Sequence, residues 1–289
     1  MKHLTILVPE GKGNNLSSIV GPHKIFTRAN SFYKEKTGKN LFKIELAGIS
    51  KEVDFYDGLF CVRPQTDINL IKKTNLIIIP SLNHNYKNAV KGNELLIDWI
   101  VEQYKLGAEI ASICTGAFLL ASSELLNEKT CSTHWAAADT FRTMFPKINL
   151  QTDQLITDEN GIYTNGGAYS FLNLVIYLIE KYYDRQTAIY CSKVFQIEMD
   201  RQSQSSFAIF TGQKMHGDET IKSAQTYIEK TFQEKISIAN LTSKFAIGRR
   251  TFDRRFIKAT GNTPIEYAQR VKIESAKKAF ESSRKRLMK

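Results

Sequence analysis

The sequence predicts an α/β domain, with a mostly parallel sheet covered on both faces by helices, followed by a small all-helical domain. Short apolar runs alternate with helical segments over the first two-thirds of the 289 residues, which is typical of parallel sheets. This length suits about two domains. Residues 215–289 carry 17 Lys and Arg against 8 Asp and Glu, so most of the net charge of +11 lies in the second domain and indicates a polyanionic partner.

The predicted strands are short apolar or alternating runs. Residues 75–80 (NLIIIP) are apolar on both faces and indicate a central strand. Asp57-Gly58 and Asn160-Gly161 are turn signals, each between two short strands. In chain order, strands are expected at residues 3–8, at 41–46, on either side of 57–58, at 75–80, at 108–113, at 129–133 and on either side of 159–161.

The predicted helices lie between and after these strands. Gly21-Pro22 is expected to break or kink the first one, because proline lacks the amide that a helix interior needs. Helices are expected at residues 14–33, 93–104, 115–123, 170–183, 186–196, 218–232 and 263–280. A polar stretch without helical periodicity, residues 201–216, is expected to link a domain of residues 1–200 to a domain of residues 217–289.

Composition and cysteine spacing argue against several classes of protein. No apolar run approaches the roughly 20 residues that a membrane span needs, and the N-terminus has no secretion signal. The four cysteines are scattered, with no CxxC pair and no histidine spacing suited to zinc. We therefore expect a cytoplasmic protein with no metal site, no cofactor and no membrane partner.

One cysteine has a chemically informative position. A buried strand is expected to end at Ile113 and a helix to begin near Thr115, which puts Cys114 at the turn, where helix amides and the helix dipole stabilise a thiolate. His134 follows the predicted strand 129–133 and is expected at the same edge of the sheet. Two interpretations stay open: a functional Cys114–His134 pair, or a packed cysteine and a histidine that caps a helix.

The segment 236–261 has the pattern of a helix-turn-helix. Apolar residues at Ile238, Leu241 and Phe245 recur at helical spacing, and residues 246–248 make a break. A second helix is expected over Arg249–Thr260, with Gly248 at its N-cap and one side buried. The predicted buried residues of that helix are Phe252, Phe256 and Ile257.

The other side of the second helix is predicted to meet DNA. Arg250 and Arg254 are expected to contact base edges, and Asp253 either accepts from cytosine or positions a neighbouring arginine. Arg249, Arg255 and Lys258 are expected to meet phosphates. The complete set of predicted DNA-binding residues is Arg249, Arg250, Thr251, Asp253, Arg254, Arg255 and Lys258.

Residues 3–197 resemble the PfpI-type branch of the class I glutamine amidotransferase-like superfamily. The resemblance is carried by residues 113–121 (ICTGAFLLA), 132–135 (STHW) and 164–168 (TNGGA). It implies a flavodoxin-like sheet with a pocket at its edge. The pocket residues are expected to be Cys114, Thr115, His134, Gly166 and Gly167.

Two departures from that branch weaken an enzymatic role. Its enzymes supply an acidic residue after the first strand, whereas here the nearest carboxylate is Glu10 and residues 17–20 (SSIV) precede Gly21-Pro22. Its glycine-rich oxyanion turn is replaced by residues 80–84 (PSLNH). The resemblance thus implies a pocket that senses a small molecule, and not an enzyme.

Residues 218–289 resemble the AraC/XylS family of transcription regulators. The resemblance is carried by Arg250, Phe252, Arg254, Phe256, residues 261–267 (GNTPIEY), Arg270 and Ala276. It implies double-stranded DNA as a partner, a small-molecule effector and a homodimer. Domains of that family have two helix-turn-helix units, and the chain is expected to hold the first unit and its connecting helix. A natural truncation, a frameshift and a trimmed chain all fit this expectation.

Three interpretations of function therefore stay open. The first is a cytoplasmic transcription regulator with a ligand-sensing α/β domain. The second is a cysteine-dependent amidase or peptidase with a basic appendage. The third is a protein that dimerises through its first domain and does not bind DNA.

Overall fold

The computed structural model describes residues 1–12, 14–82, 85–210, 212–214, 216–234 and 236–282. The chain divides into two compact units, Met1–Phe207 and Ala208–Lys289. The division lies inside the stretch 201–216. Residues up to 207 nevertheless fold with the first unit, where Ser203 pairs with Gln154 as an antiparallel bridge. None of the described helices is long and apolar enough to cross a membrane.

The strands are short, as the apolar runs predict. In chain order they are β1 (Lys2–Val8), β2 (Phe42–Gly48), β3 (Val53–Phe55), β4 (Phe60–Val62), β5 (Thr66–Asp67), β6 (Leu76–Ile79), β7 (Glu109–Ile113), β8 (Thr130–Cys131), β9 (Asn149–Leu150), β10 (Ile156–Glu159) and β11 (Ile162–Asn165).

The helices lie between the strands of the first unit and make up the second. They are α1 (Ser17–Thr37), α2 (Tyr86–Lys91), α3 (Glu94–Lys105), α4 (Ala117–Ser122), α5 (Ala138–Met144), α6 (Phe171–Tyr182), α7 (Arg185–Phe195), α8 (Glu219–Lys230), α9 (Ile238–Lys244), α10 (Arg249–Thr260) and α11 (Pro264–Ser282).

Within the described residues, the main sheet has seven strands in the order β10-β11-β7-β6-β1-β2-β5. All neighbours are parallel except β10 and β11, which form the hairpin predicted at Asn160-Gly161. The strands β1, β6, β7 and β11 therefore end at one edge of the sheet. The turns that follow them meet at that edge, where open α/β sheets bind ligands.

Both faces of the sheet are covered, which confirms the predicted fold class. One apolar cluster packs α3 and α4 on the sheet through Trp99 and Phe118. The other packs α1 and α6 on the opposite face through Phe26 and Leu174. Strands β6 and β7 are buried on both faces, because helices cover both sides of a parallel sheet.

Two elements differ from their predictions. Helix α1 is continuous from Ser17 to Thr37 with Pro22 inside it, so Gly21-Pro22 does not break it. Pro22 lies one turn from the helix start, where the missing amide removes a single bond to the Ser18 carbonyl. The strand predicted at residues 129–133 is shorter and pairs with β9 in a separate two-stranded sheet instead of joining the main one.

The second unit is a small helical domain around its own core. Helices α8, α9, α10 and α11 supply the fully buried Ile228, Leu241, Phe252 and Tyr267. Helix α11 begins with a capping box, in which Thr263 N–H donates to Glu266 (2.7 Å) and Glu266 N–H donates to the Thr263 hydroxyl (3.2 Å). Residues 283–289 lie outside the described part of the chain.

Candidate functional site

Cys114 lies where β7 turns into a 3-10 turn, Cys114–Gly116, that leads into α4. Its φ is +55°, a left-handed conformation that is uncommon for a residue with a side chain and is found at strained functional turns. The turn is tight because Gly116 approaches the neighbouring strand. A Cβ on Gly116 would stand 2.6 Å from the Pro80 carbonyl oxygen and 2.8 Å from that of Ile79.

Gly167 brings Cys114 and His134 together. It has a φ of +105°, and a Cβ at this position would stand 2.6 Å from Cys114 Sγ and 2.8 Å from His134 Cδ2. Asn165 sets the turn, since its Oδ1 accepts the Gly167 N–H (3.0 Å) and its Nδ2 donates to the Leu155 carbonyl (3.0 Å). Cys114 and His134 therefore both pack against Gly167, in space that a larger residue would fill.

His134 reaches this place from the loop after β8, and Thr133 fixes that loop. The Thr133 hydroxyl donates to the Cys114 carbonyl (2.9 Å). Nδ1 of His134 accepts the Ala136 N–H (3.2 Å), so the histidine also caps a short 3-10 turn. A neutral imidazole with an accepting Nδ1 carries its proton on Nε2.

Gln204 is a site residue that the sequence did not predict. It lies in the stretch 201–216, yet it is 3% exposed and packs on Gly166, and its Nε2 donates to the Thr133 carbonyl (2.9 Å). It thereby holds the residue before His134 in place. Nothing in a polar Ser- and Gln-rich stretch distinguishes such a residue, because its burial depends on partners far away in the chain.

Thr115, predicted as a pocket residue, bonds to the loop after β6. Its hydroxyl accepts the Leu82 N–H (3.0 Å) and bonds to the Ser81 hydroxyl (2.9 Å). The Ser81 N–H in turn donates to the Ser18 hydroxyl (3.0 Å). Thr115 therefore anchors the loop after β6. The Ser81 and Leu82 amides that begin this loop donate to protein hydroxyls. Residues 83 and 84, in the segment that replaces the oxyanion turn of the family's enzymes, lie outside the described residues.

Glu10 is the carboxylate nearest in sequence to the end of β1. Its N–H donates to Asn93 Oδ1 (2.8 Å), and its Oε1 is buried without a hydrogen-bond partner in the described part of the chain. Ser18, just before Gly21-Pro22, is fully buried, and its hydroxyl donates to the Asn15 carbonyl (2.6 Å).

A pocket of about 210 Å³ opens above Gly167. Its walls include three aromatic side chains. The lining comprises Trp135, Tyr169, Phe207, His134, Arg201, Gln204 and the turn 167–170.

A larger hollow of about 990 Å³ lies beside β10 and α6. Several of its charged side chains are already paired. Arg185 binds Glu180 (2.8 Å), and Lys181 binds Asp158 (2.8 Å) just outside the hollow. Arg201 lines both this hollow and the pocket above Gly167.

Helix α10 lies after α9 and a turn in which Ala246 has a φ of +49°. Phe252 and Phe256 are fully buried against Leu241, and the rings of Phe245 and Phe252 stack at 6.4 Å. Ile257, predicted to be buried with them, is 45% exposed. It is one position beyond Phe256 on the helix, which turns it away from the core.

The outer side of α10 is basic. Asp253 lies among the arginines as the acidic group of this helix, 3.9 Å from Arg249, and its Oδ1 is buried without a partner in the described residues. The exposed polar residues of α10 are Arg249, Arg250, Thr251, Arg254 and Lys258.

Arg255, predicted to meet a phosphate, forms an ion pair within the second unit. Its Nε donates to Asp218 Oδ2 (2.8 Å) and its Nη2 to Asp218 Oδ1 (2.6 Å). These bonds lower the pKa of the Asp218 carboxyl, which also caps α8 by accepting the Ile221 N–H (3.2 Å). Arg255 is thus part of the internal structure of the second unit.

Comparison with known proteins finds a family match within the first unit and several similar curated proteins. The family model described as the DJ-1/PfpI family matches residues 19–181. The HTH-type transcriptional regulator GbdR of Pseudomonas aeruginosa is 21% identical over 188 residues, which cover 65% of this chain and 51% of the relative. The isonitrile hydratase of Pseudomonas putida is 29% identical over 96 residues, which cover 33% of this chain and 41% of the relative. The chain spans about half the length of the curated regulators it matches.

Among solved structures, a candidate transcriptional regulator from Vibrio parahaemolyticus has a TM-score of 0.60 at 25% sequence identity. The match covers 67% of this chain and 98% of that one. The common fold and the family match over more than half of the chain lead to one conclusion: this protein belongs to the DJ-1/PfpI family.

Proposed function

We propose that the protein is a DNA-binding transcription regulator whose first unit binds a small-molecule effector. The observation that carries the proposal is the two-sided character of α10. Its inner side buries Phe252 and Phe256 in the core of the second unit. Its outer side exposes four basic side chains, Arg249, Arg250, Arg254 and Lys258. Similarity to proteins named as HTH-type regulators supports this proposal.

The exposed arginines divide into two roles. Arg250 and Arg254 are one helical turn apart on the exposed side, where each guanidinium has the fork geometry that binds guanine O6 and N7 in the major groove. Arg249 and Lys258 lie near the ends of α10 and are proposed to meet phosphates. The distance of 3.9 Å between Asp253 and Arg249 favours positioning of this arginine over base contact by Asp253.

The loop after β6 favours sensing over catalysis in the first unit. An oxyanion site needs N–H groups that point at the reacting oxygen. The Ser81 and Leu82 N–H groups instead donate to the hydroxyls of Ser18 and Thr115. If either amide turned to a substrate, the hydroxyl of Ser18 or Thr115 would lose the N–H group that donates to it.

The test is fluorescence anisotropy of the full chain with duplex DNA at several salt concentrations. Lys258→Ala should lower the salt slope by about one. Arg254→Ala should reduce the difference in binding free energy between the preferred duplex and one with a substituted base pair. The expected reduction is about 1–3 kcal/mol at the base pair that Arg254 contacts. Arg63→Ala removes a surface charge of the first unit, from a pair with Glu52, and is the matched control. Equal binding by all four proteins would refute the proposal.

A second candidate function is cysteine-dependent hydrolysis or hydration. It is favoured by the left-handed Cys114 and by His134 beside it, and one relative is named isonitrile hydratase. Turnover of an isonitrile or a simple amide by the full chain, lost in Cys114→Ser, would establish it. Homodimerisation stays a prediction, to be measured by analytical ultracentrifugation.

A further inference from the structure

The pocket above Gly167 is lined by one positively charged side chain and by no described carboxylate. Arg201 is the one Lys, Arg, Asp or Glu side chain among its described lining residues. His134 adds a ring that is neutral or positive, and the remaining walls are aromatic or uncharged. A pocket with a permanent cation and no carboxylate favours an anionic ligand.

Arg201 has no carboxylate partner in the part of the chain that the structure describes. Its Nε donates a long bond to the Ser203 carbonyl (3.4 Å), and no other bond of this guanidinium is present among the described residues. Arg185 and Arg255, by contrast, bind carboxylates at 2.8 and 2.6 Å. The terminal nitrogens of Arg201 can therefore donate to a bound molecule, and a guanidinium fork matches the two oxygens of a carboxylate.

Phe207 stacks against this guanidinium. The Arg201 Cζ atom lies 4.1 Å from the centre of the Phe207 ring, within the range of a cation–π contact. Stacking restricts the guanidinium plane, so less side-chain entropy is lost when its edge binds an anion.

The aromatic walls require an apolar part on the ligand. Phe207 and Tyr169 are 59% and 69% exposed, and a carbon skeleton lying against them would cover apolar surface. The volume of about 210 Å³ equals roughly seven water molecules at about 30 Å³ each, which suits a ligand of a few carbon atoms.

We propose that this pocket binds a small organic carboxylate, with Arg201 as its anion-binding side chain. The carboxylate oxygens accept from the terminal nitrogens of Arg201, and the carbon chain lies against the aromatic walls formed by Trp135, Tyr169 and Phe207. The proposal rests on the proposed function, because it names the chemical class of the effector.

Trp135 provides the readout. The chain has two tryptophans, and Trp99 is 5% exposed in the core of the first unit. In a full-length Trp99→Phe background, Trp135 alone reports ligand binding. The probes are butyrate and pentanoate, each compared with its amide, which has the same shape and no charge. We expect both acids, and neither amide, to change the fluorescence of Trp135 in a saturable way.

Substitution of the arginine tests its role. Arg201→Gln should weaken acid binding by about tenfold to a hundredfold, and Arg201→Lys by less, because a charged donor is retained. Arg63→Gln makes the same charge change outside the pocket and should leave binding unaltered. Equal responses to acid and amide in the Trp99→Phe protein would overturn the proposal. The comparison of acid with amide uses an unaltered pocket, so it does not depend on whether the Arg201 variants fold.

DNA binding separates this inference from the proposed function. Arg201→Gln should leave salt-dependent DNA binding in the absence of acid intact. Normal DNA binding by a protein in which neither acid changes Trp135 fluorescence would refute the carboxylate site and leave the regulator proposal standing. A saturable, Arg201-dependent response to acid in a protein that fails to bind DNA would support the site and refute the regulator.

Discussion

Arg255 and Asp218 form a two-point ion pair that joins α10 to the start of α8. The two bonds measure 2.8 and 2.6 Å, and Asp218 also accepts the Ile221 N–H that caps α8. One carboxylate therefore positions two helices of the second unit. Arg255 thereby fixes the helix that carries the exposed Arg249, Arg250 and Arg254.

We expect Arg255→Ala to loosen the second unit without changing how DNA binding depends on salt. The pair is partly exposed, so the loss of stability should be modest, whereas Asp218→Ala also removes a helix cap worth about 1 kcal/mol. Hydrogen–deuterium exchange of α8 and α10 measures both effects, with faster exchange in Asp218→Ala. A salt slope lowered by about one in Arg255→Ala, as expected for Lys258→Ala, would contradict this assignment.

The same pair makes stability of the second unit dependent on pH. Hydrogen bonds from Arg255 lower the pKa of Asp218 below its ordinary value of 3.8. The stabilisation is therefore fully present above that value and is lost as pH falls through the lower folded pKa. Thermal unfolding followed by circular dichroism should show that the melting temperature falls less below pH 4 in Asp218→Asn than in the unaltered protein. Parallel curves for the two proteins would argue against the linkage.

Elements whose pattern is local could be predicted from the sequence. Strands β6 and β7 follow from runs that are apolar on both faces, and α10 follows from Phe252 and Phe256 four residues apart. The turn at Cys114 was also predictable, because a buried strand followed by small residues leaves little choice of geometry. In each case the residues that decide the structure are close together in the chain.

Features that depend on distant partners could not be predicted. Gln204 is buried by Gly166 and Thr133, and Arg255 is held by Asp218, 37 positions earlier in the chain. Neither pairing leaves a periodic signal. The sequence likewise predicted Thr115 as part of the pocket, although its hydroxyl is engaged by the loop after β6.

We expect Gly167→Ala to destabilise the first unit more than an alanine substitution at a glycine that has a positive φ but open space around it. The new Cβ would stand 2.6 Å from Cys114 Sγ, and the resulting overpacking should add about 1–3 kcal/mol. Gly107→Ala is the control, since Gly107 has a similar positive φ (+92°) and open space around its Cβ position. Urea unfolding followed by tryptophan fluorescence reports this unit, which contains both tryptophans. Equal losses in the two variants would mean that Cys114 and His134 move aside freely.

Replacement of Thr115 by valine should lower the free energy of unfolding by about 1–3 kcal/mol, because the buried Leu82 N–H loses its acceptor while side-chain volume is retained. Thr115→Ser keeps the hydroxyl and should preserve most of this bond. Thr143→Val is the control: its exposed hydroxyl bonds to its own helix at Asp139 (2.8 Å), so a change within about 0.5 kcal/mol is expected. The same urea titration measures all three. If Thr115→Val matched Thr143→Val, the Thr115 hydroxyl would not anchor the loop, and the Leu82 amide would be available to a ligand after all.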